Sequence, residues 1–96
     1  MNTYIALVNY TELGIKTVNE SPTRAAAVGE KLAAAGGRVK EVYLTMGNYD
    51  FVVIFEAPDD ETMARVLLEA GKLGTVRTTT MRAFPKDAFE SIVASL

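Results

Sequence analysis

Two strand-like runs stand on either side of a Gly-Asn turn, and an amphipathic helical pattern flanks the pair on each outer side. The runs cover residues 38–46 and 50–56, with Gly47 and Asn48 between them. Gly and Asn turn a chain sharply, so we assign both to turn geometry and predict a β-hairpin. A hairpin set between two helices leaves few ways to fold, because right-handed connections place both helices on one face of the sheet.

Further strands are predicted toward both ends of the chain. Residues 3–9 and 75–84 are rich in apolar and β-branched residues, and a last short helix is predicted over 86–94. The order is therefore strand, helix, strand, strand, helix, strand and terminal helix. This is the ferredoxin-like βαββαβ pattern, an α+β fold with a four-stranded antiparallel sheet. At this length we expect one domain over residues 1–96.

Both main helices carry start signals. Ser21 is predicted to cap the first helix, over 22–35, with a proline in its first position. Asp59 or Asp60 is predicted to cap the second, where acidic residues in the first turn suit the helix dipole. Capping also explains the acidic run through Glu61 better than a metal site does.

Two helices cover only one face of such a sheet. We expect Ile5, Leu7, Val42 and Leu44 to face the helices. The other face then carries Tyr4, Ala6, Val8, Val39, Glu41, Tyr43 and Thr45. That set is too apolar for water, so two copies of the chain are expected to pack sheet to sheet as a dimeric α/β barrel. In the alternative, the terminal helix folds across this face within one chain.

Composition excludes several classes of function. The chain has neither cysteine nor histidine, which removes disulfides, thiolate chemistry, the commonest general base and any His/Cys metal or haem site. The net charge is -2 with both signs interspersed, so nucleic acid is not an expected partner. No apolar run reaches the ~18 residues of a membrane span. We therefore expect a cytoplasmic protein without a cofactor or a membrane partner.

The turn and its surroundings resemble a known family. The stretch LTMGNYDFVVIFEAPDDE is similar to the signature of the GYD domain, whose motif is Gly, one variable residue, Tyr and Asp. The resemblance also covers TYIALVNYTELGIKTVNESPTR, GGRVKEVYLTMG and LGTVRTTTMRAF. It implies a dimeric α/β-barrel fold and brings no assigned reaction. The turn also resembles one in the ligand-sensing domains of Lrp/AsnC-type regulators, which implies a free-standing binding and assembly module.

Candidate binding residues lie in the turn and on the strands. The Asp50 carboxylate serves either as a base or anchor in a pocket or, as we favour, as an acceptor that fixes the hairpin register. Its donors would then be backbone N–H groups in the turn or a hydroxyl from a neighbouring strand. Tyr49 either lines a cavity or packs over a strand end. Arg77 and Arg82 are five residues apart, so they point to opposite faces, and one can clamp an anion. Tyr43 is expected to pack in an interface.

Three functions remain open from the sequence. The first is a homo-oligomeric binding module for a small molecule or a protein partner. The second, by analogy of fold alone, is a cofactor-independent oxygenase, isomerase or decarboxylase of a small organic acid or phenolic. It would use Asp50 as base, Tyr49 or Tyr43 as proton donor, and Arg77 or Arg82 to hold a carboxylate. The third is a structural subunit without a pocket.

Overall fold

The computed structural model describes residues 1–96. In chain order its elements are β1 (Asn2–Tyr10), α1 (Glu12–Lys16), a turn of 3-10 helix (Val18–Glu20), α2 (Ser21–Ala34), β2 (Arg38–Leu44), β3 (Phe51–Ala57), α3 (Asp60–Lys72), β4 (Val76–Ala83) and α4 (Lys86–Ala94). The strands form one antiparallel sheet in the order β2-β3-β1-β4. This confirms the predicted α+β, ferredoxin-like fold, and the ends of the strands and helices for which a range was predicted lie within two residues of it.

Helices α2 and α3 pack on one side of the sheet, which we call the covered face. Its register is fixed by β1, where Tyr4 lies opposite both Phe55 of β3 and Arg82 of β4. Eight buried apolar residues form the core between this face and the helices: Tyr4, Ala6, Val8, Leu32, Phe55, Ala57, Met63 and Val66.

The face predicted for β1 is wrong. The structure buries the other set of side chains beneath the helices, namely Tyr4, Ala6 and Val8. Ile5 and Leu7 point away from the helices instead. Both sets are largely apolar, so alternation by itself does not select the buried one. The hydroxyl of Tyr4 has a partner on the covered side, because it donates a hydrogen bond to the Asp60 carboxylate at the start of α3.

One residue of β2 also lies on the face opposite to its prediction. Val42 and Leu44 share the covered face as expected, but Val39 lies there too, opposite Phe55. A bulge between Val39 and Glu41 shifts the register by one residue. An inserted residue reverses the alternation on one side of it, which the sequence pattern did not reveal.

The opposite surface of the sheet, which we call the open face, has no second layer. Its apolar side chains are Ile5, Leu7, Tyr43, Val52, Ile54 and Met81. Tyr43 is 52% and Met81 44% exposed. The molecule measures 17 Å along its shortest axis, which accommodates one sheet and one layer of helices.

Helix α4 does not bury the open face. Its large apolar side chains, Phe89, Ile92 and Val93, are 58%, 46% and 49% exposed. The radius of gyration is 14.3 Å, larger than the roughly 12.5 Å expected for a compact chain of this length. The terminal helix therefore leaves both its own apolar side and the sheet available for other contacts.

The two main helices begin differently. Helix α3 is capped as predicted, since the Asp59 carboxylate accepts the Thr62 N–H at 2.8 Å. Helix α2 already includes Ser21, and its N-cap position is Glu20, which makes no side-chain capping bond. The predicted Ser21 cap is wrong, because the Ser21 hydroxyl lies 2.6 Å from the hydroxyl of Tyr10 and is engaged there instead.

Candidate functional site

The connection between β2 and β3 is closed by its own backbone. Gly47 has φ +125°, a conformation that favours glycine. Thr45 closes the loop twice: its N–H donates to the Asp50 carbonyl at 2.8 Å and its hydroxyl to the Tyr49 carbonyl at 2.6 Å. Asn48 is exposed and has a negative φ. The turn is therefore a six-residue loop and not a two-residue hairpin.

Asp50 ties this loop to the end of β1. Its backbone N–H donates to the carbonyl of Val8 at 2.8 Å. Its carboxylate accepts the backbone N–H of Tyr10 at 2.9 Å. The carboxylate thus accepts a backbone N–H, as favoured from the sequence, but the donor lies on the central strand and not in the turn. The bond engages Oδ2 and leaves Oδ1 without a hydrogen-bond partner in the chain.

The two candidate tyrosines lie in different surroundings. Tyr49 is partly buried beside the loop backbone. Tyr43 lies on the open face of the edge strand β2, as predicted, and its hydroxyl donates to the Glu41 carboxylate. Both Tyr43 and Glu41 are exposed in the single chain. Tyr43 is accordingly a surface residue of the open face and not part of a pocket.

The candidate arginines lie on opposite faces, as predicted, and toward opposite ends of β4. Arg77 is on the open face, opposite Asn9, and forms no ion pair within the chain. Arg82 is opposite Tyr4, with its Nη1 4.0 Å from Oδ1 of Asp60. Its guanidinium carbon also lies 5.1 Å from the centre of the Phe84 ring. The structure therefore does not bring the five candidate binding residues together.

Tyr4 is a residue whose environment the sequence did not predict. It is only 4% exposed, and its hydroxyl donates to Asp60 while accepting from the Asn2 amide at 3.3 Å. Burial raises the pKa of Tyr4 above its ordinary value, and the bond to Asp60 raises the pKa further. Tyr4 is thus a neutral hydrogen-bond donor that joins β1 to α3.

A cavity of about 150 Å³ lies between the covered face and the facing halves of α2 and α3. Eighteen residues line it, and 14 of them are hydrophobic. Val8, Phe51 and Val53 belong to its sheet side, while Val28 and Leu67 belong to the helices. The only charged residue in the lining is Arg24. The lining is almost entirely apolar, and the Arg24 guanidinium is hydrogen-bonded to the α1 segment.

Sequence reasoning missed this cavity and Arg24. The signal that points to the cavity is the short side chains that both helices contribute to its lining, Ala25 in α2 and Ala70 in α3. Short side chains on a helix cannot fill the space above a sheet, so a helix of this kind leaves a gap unless the sheet supplies bulk. The guanidinium of Arg24 donates to Thr17 Oγ1 at 3.1 Å, to the Thr17 carbonyl at 3.3 Å and to the Gly14 carbonyl at 3.5 Å.

Two further kinds of site are not found. The structure contains no group of three or more Asp and Glu residues placed to hold a metal ion. No helix has both the length and the apolar character needed to cross a membrane. In the acidic run at the start of α3, Asp59 caps the helix, Asp60 accepts a hydrogen bond from Tyr4, and Glu61 pairs with Arg65.

The family model of the GYD domain matches residues 4–93. The chain belongs to the GYD-domain family. The match includes the turn, both faces of the sheet and nearly all of α4, so it covers every surface described above. It confirms the resemblance inferred from the Gly-Asn-Tyr-Asp stretch.

One relative of this GYD-domain protein has a stated binding role. It is a glutamine synthetase and cystathionine β-lyase binding protein from Thermus thermophilus. The two are 38% identical over 86 residues, which is 88% of this chain and 90% of the relative.

Solved structures share the fold. The crystal structure of TTHA0845, also from Thermus thermophilus, is 30% identical, with a TM-score of 0.55, over 88% of this chain and 94% of that one. A feast or famine regulatory protein from M. tuberculosis, complexed with L-methionine, has a TM-score of 0.67 at 13% identity. That alignment covers 90% of this chain and 52% of the regulator, and at this identity the likeness shows the fold alone.

Proposed function

We propose that this GYD-domain protein is a binding and assembly module: two copies pair through the open face, and the assembly binds a protein partner. The observation that carries the proposal is the open face itself. It presents a continuous apolar surface in a chain that has no further layer to cover it. Larger exposed apolar patches are characteristic of association sites.

The charges at the edges of the open face fit pairing with a second copy. Glu41 lies on the edge strand β2, and Arg77 lies on the edge strand β4. A twofold axis along the strands sets β2 of one copy alongside β4 of the other, which gives each rim charges of both signs. The apolar centre formed by Ile5, Leu7 and Ile54 is then removed from water.

The protein partner that fits best is an enzyme of the kind named for the relative. At 38% identity over most of both chains, glutamine synthetase and cystathionine β-lyase are the first candidates. Helix α4 supplies a surface for such a partner, because Phe89, Ile92 and Val93 share one side of the helix and remain about half exposed. An amphipathic helix that lies free in this way fits an apolar groove on another protein.

The alternative of a cofactor-independent enzyme has less support. The Asp50 carboxylate is bonded to the Tyr10 N–H, and Arg77 and Arg82 lie at different ends of β4. No candidate proton donor is hydrogen-bonded to Asp50. A reaction would need a nucleophile or base in a water-poor site with its partners in reach, and these residues do not provide one.

The pairing is tested by light scattering coupled to size-exclusion chromatography. We expect the wild type to be a dimer and Ile54→Glu, which places a charge at the centre of the open face, to be a folded monomer. The matched control is Leu68→Glu, because Leu68 is 74% exposed on the outer side of α3. A monomeric wild type, or an Ile54→Glu variant that stays dimeric, would contradict the proposal.

Partner binding is tested with the purified glutamine synthetase and cystathionine β-lyase of the same organism, each immobilised for biolayer interferometry. We expect one of the two to bind the wild type. Ile92→Glu on the apolar side of α4 should weaken binding by tenfold or more, by the order expected for a central interface residue. Ser91→Glu introduces the same charge on the opposite side and should bind as the wild type does. If neither enzyme binds, the proposed identity of the partner is wrong.

A further inference from the structure

We propose that Arg82 is a positioning residue for helix α4, because its guanidinium holds the aromatic ring of Phe84 just before the helix begins. The purpose of this positioning rests on the proposed function, in which α4 binds the enzyme partner. The contacts that hold Phe84 do not depend on that function. They lie at the end of β4, where Arg82 is opposite Tyr4 of the central strand β1.

Helix α4 has no polar connection of its own to the sheet or to the other helices. Its hydrogen bonds are local, such as the one that the Phe89 N–H donates to the Pro85 carbonyl at 2.9 Å. The ion pairs of the chain all lie outside it. A helix of nine residues is marginal in water by itself, and its first turn is the costly one to form. The order of α4 therefore depends on what holds its start.

The start of α4 is held by the Arg82 guanidinium. The guanidinium carbon lies 5.1 Å from the centre of the Phe84 ring and 6.0 Å from the centre of the Tyr4 ring. Both distances are within the range in which a cation is attracted to an aromatic face. Phe84 directly precedes Pro85, the N-cap residue of α4. Arg82 thus links a residue beside the helix to a buried ring of the core.

Arg82 is itself placed by elements other than α4. Its Nη1 lies 4.0 Å from Oδ1 of Asp60, at the start of α3. The same carboxylate oxygen accepts the hydrogen bond from the hydroxyl of Tyr4, which is only 4% exposed. Two elements of the core, β1 and α3, therefore fix the guanidinium before Phe84 meets it.

Pro85 carries the position of Phe84 into the helix. Its ring fixes its own φ, which is -58° here, and restricts the residue before it to extended conformations. Few backbone torsions are then free between the Phe84 ring and the first turn of α4. Holding the ring accordingly sets the direction in which the helix leaves β4, and with it the side to which Phe89, Ile92 and Val93 point.

Loss of the contact should reduce partner binding without removing it. Affinity falls with the fraction of molecules in which the binding surface is correctly formed. Phe84 is 56% exposed, and an exposed cation–π contact is weak. Arg82→Gln is therefore expected to weaken enzyme binding about threefold. This is a smaller effect than that of Ile92→Glu, which changes the binding surface itself.

The first test measures amide hydrogen exchange of the full chain by NMR. Arg82→Gln and Phe84→Leu should each speed exchange of the Phe89 N–H about threefold, because α4 unfolds locally more often. Phe84→Tyr keeps the aromatic face and should exchange as the wild type does. Arg65→Gln removes an exposed arginine of α3 and is the control for charge.

Coupling between the two residues decides whether Arg82 acts through Phe84. In the Phe84→Leu background, Arg82→Gln should cause no further increase in the exchange of the Phe89 N–H, because the ring that it would hold is absent. Additive effects of the two substitutions would overturn the proposal. So would an exchange rate of the Phe89 N–H that Arg82→Gln leaves unchanged.

The second test repeats the interferometry with the immobilised enzymes. Arg82→Gln and Phe84→Leu should weaken binding to the same extent, whereas Phe84→Tyr should restore it. Faster exchange in α4 with unchanged enzyme affinity would refute a role of Arg82 in partner binding. If neither enzyme binds even the wild type, the proposed function fails, and the exchange measurements still decide whether Arg82 positions α4.

Discussion

The two faces of the sheet are built from similar side chains and behave differently. Ile54 and Phe55 are neighbours in β3, yet Ile54 lies on the open face and Phe55, only 6% exposed, lies in the core. On the covered side, helices α2 and α3 add a second layer. On the open side, no part of the chain does.

The difference shows that apolar character alone does not define a core. The two faces differ in how their polar atoms are satisfied. The Tyr4 hydroxyl on the covered face reaches across to Asp60 at the start of a helix, whereas the Tyr43 hydroxyl on the open face reaches only Glu41 of its own strand. The covered face therefore stabilises the single chain, and the open face is available for association.

The largest expected effect is a loss of folding stability that differs between the covered face and the open face. Phe55→Ala should lower the free energy of unfolding by about 3–5 kcal/mol, because it removes a buried aromatic ring from the core. This loss should not depend on protein concentration. The effect of Ile54→Ala should instead increase as the protein concentration rises, since pairing stabilises the folded chain by mass action. Urea unfolding at two widely separated concentrations measures both. Equal behaviour of the two variants would remove the distinction between the faces.

A second prediction concerns the segment that holds α1 beside the covered side. Gly14 is buried, and a Cβ at this position would lie 1.9 Å from the carbonyl oxygen of Thr75. Gly14→Ala should destabilise the chain by about 3 kcal/mol, since backbone must move to admit the methyl group. The control is Gly71→Ala, which meets nothing within 4 Å inside α3 and should be neutral or slightly stabilising. Thermal unfolding followed by circular dichroism tests both, and unchanged stability of Gly14→Ala would be inconsistent with this packing.

The third prediction concerns the loop between β2 and β3, which Asp50 ties to the end of β1. Asp50→Asn should lower the free energy of unfolding by about 1 kcal/mol, because the bond to the Tyr10 N–H loses its charge. Asn48→Ala in the same loop should have little effect, since the Asn48 side chain makes no hydrogen bond. Chemical denaturation compares the two variants. An Asp50→Asn variant that keeps full stability and loses ligand or partner binding would favour a binding role for this residue.

The smallest effect concerns α3, one of the covering helices. Hydrogen bonding by the Thr62 side chain, and then by the Thr62 N–H, lowers the pKa of Asp59 below its ordinary value of 3.8. A carboxylate with a lowered pKa stabilises the folded state above its ordinary pKa, and the contribution is lost as the pH falls through the lower folded value. Asp59→Asn keeps a capping side chain without this titration. The difference in melting temperature between wild type and variant should therefore shrink below pH 3.8, and a constant difference would argue against it.

The order of strands and helices was predictable because each element has its own period and its own turn or cap signal. The buried face of β1 was not predictable. The alternating sets that begin at Tyr4 and at Ile5 are both apolar, and only contacts with other elements select the buried one. The face on which Val39 lies was not predictable either, because no residue type in β2 marks the place of the bulge. The cavity was not, because its shape depends on how closely the alanine-rich α2 approaches the sheet. Arg24 is one arginine among several until its surroundings are known.

The position of β1 has a consequence for how the chain folds. Strand β1, which precedes the other three strands of the sheet in the chain, lies between β3 and β4. Its partners, at residues 51–57 and 76–83, come much later in the chain. Such distant pairings slow folding, and an unpaired apolar strand is prone to wrong contacts while it waits. During synthesis, the apolar side chains of β1, Tyr4 among them, therefore need protection from wrong contacts until β4 has left the ribosome.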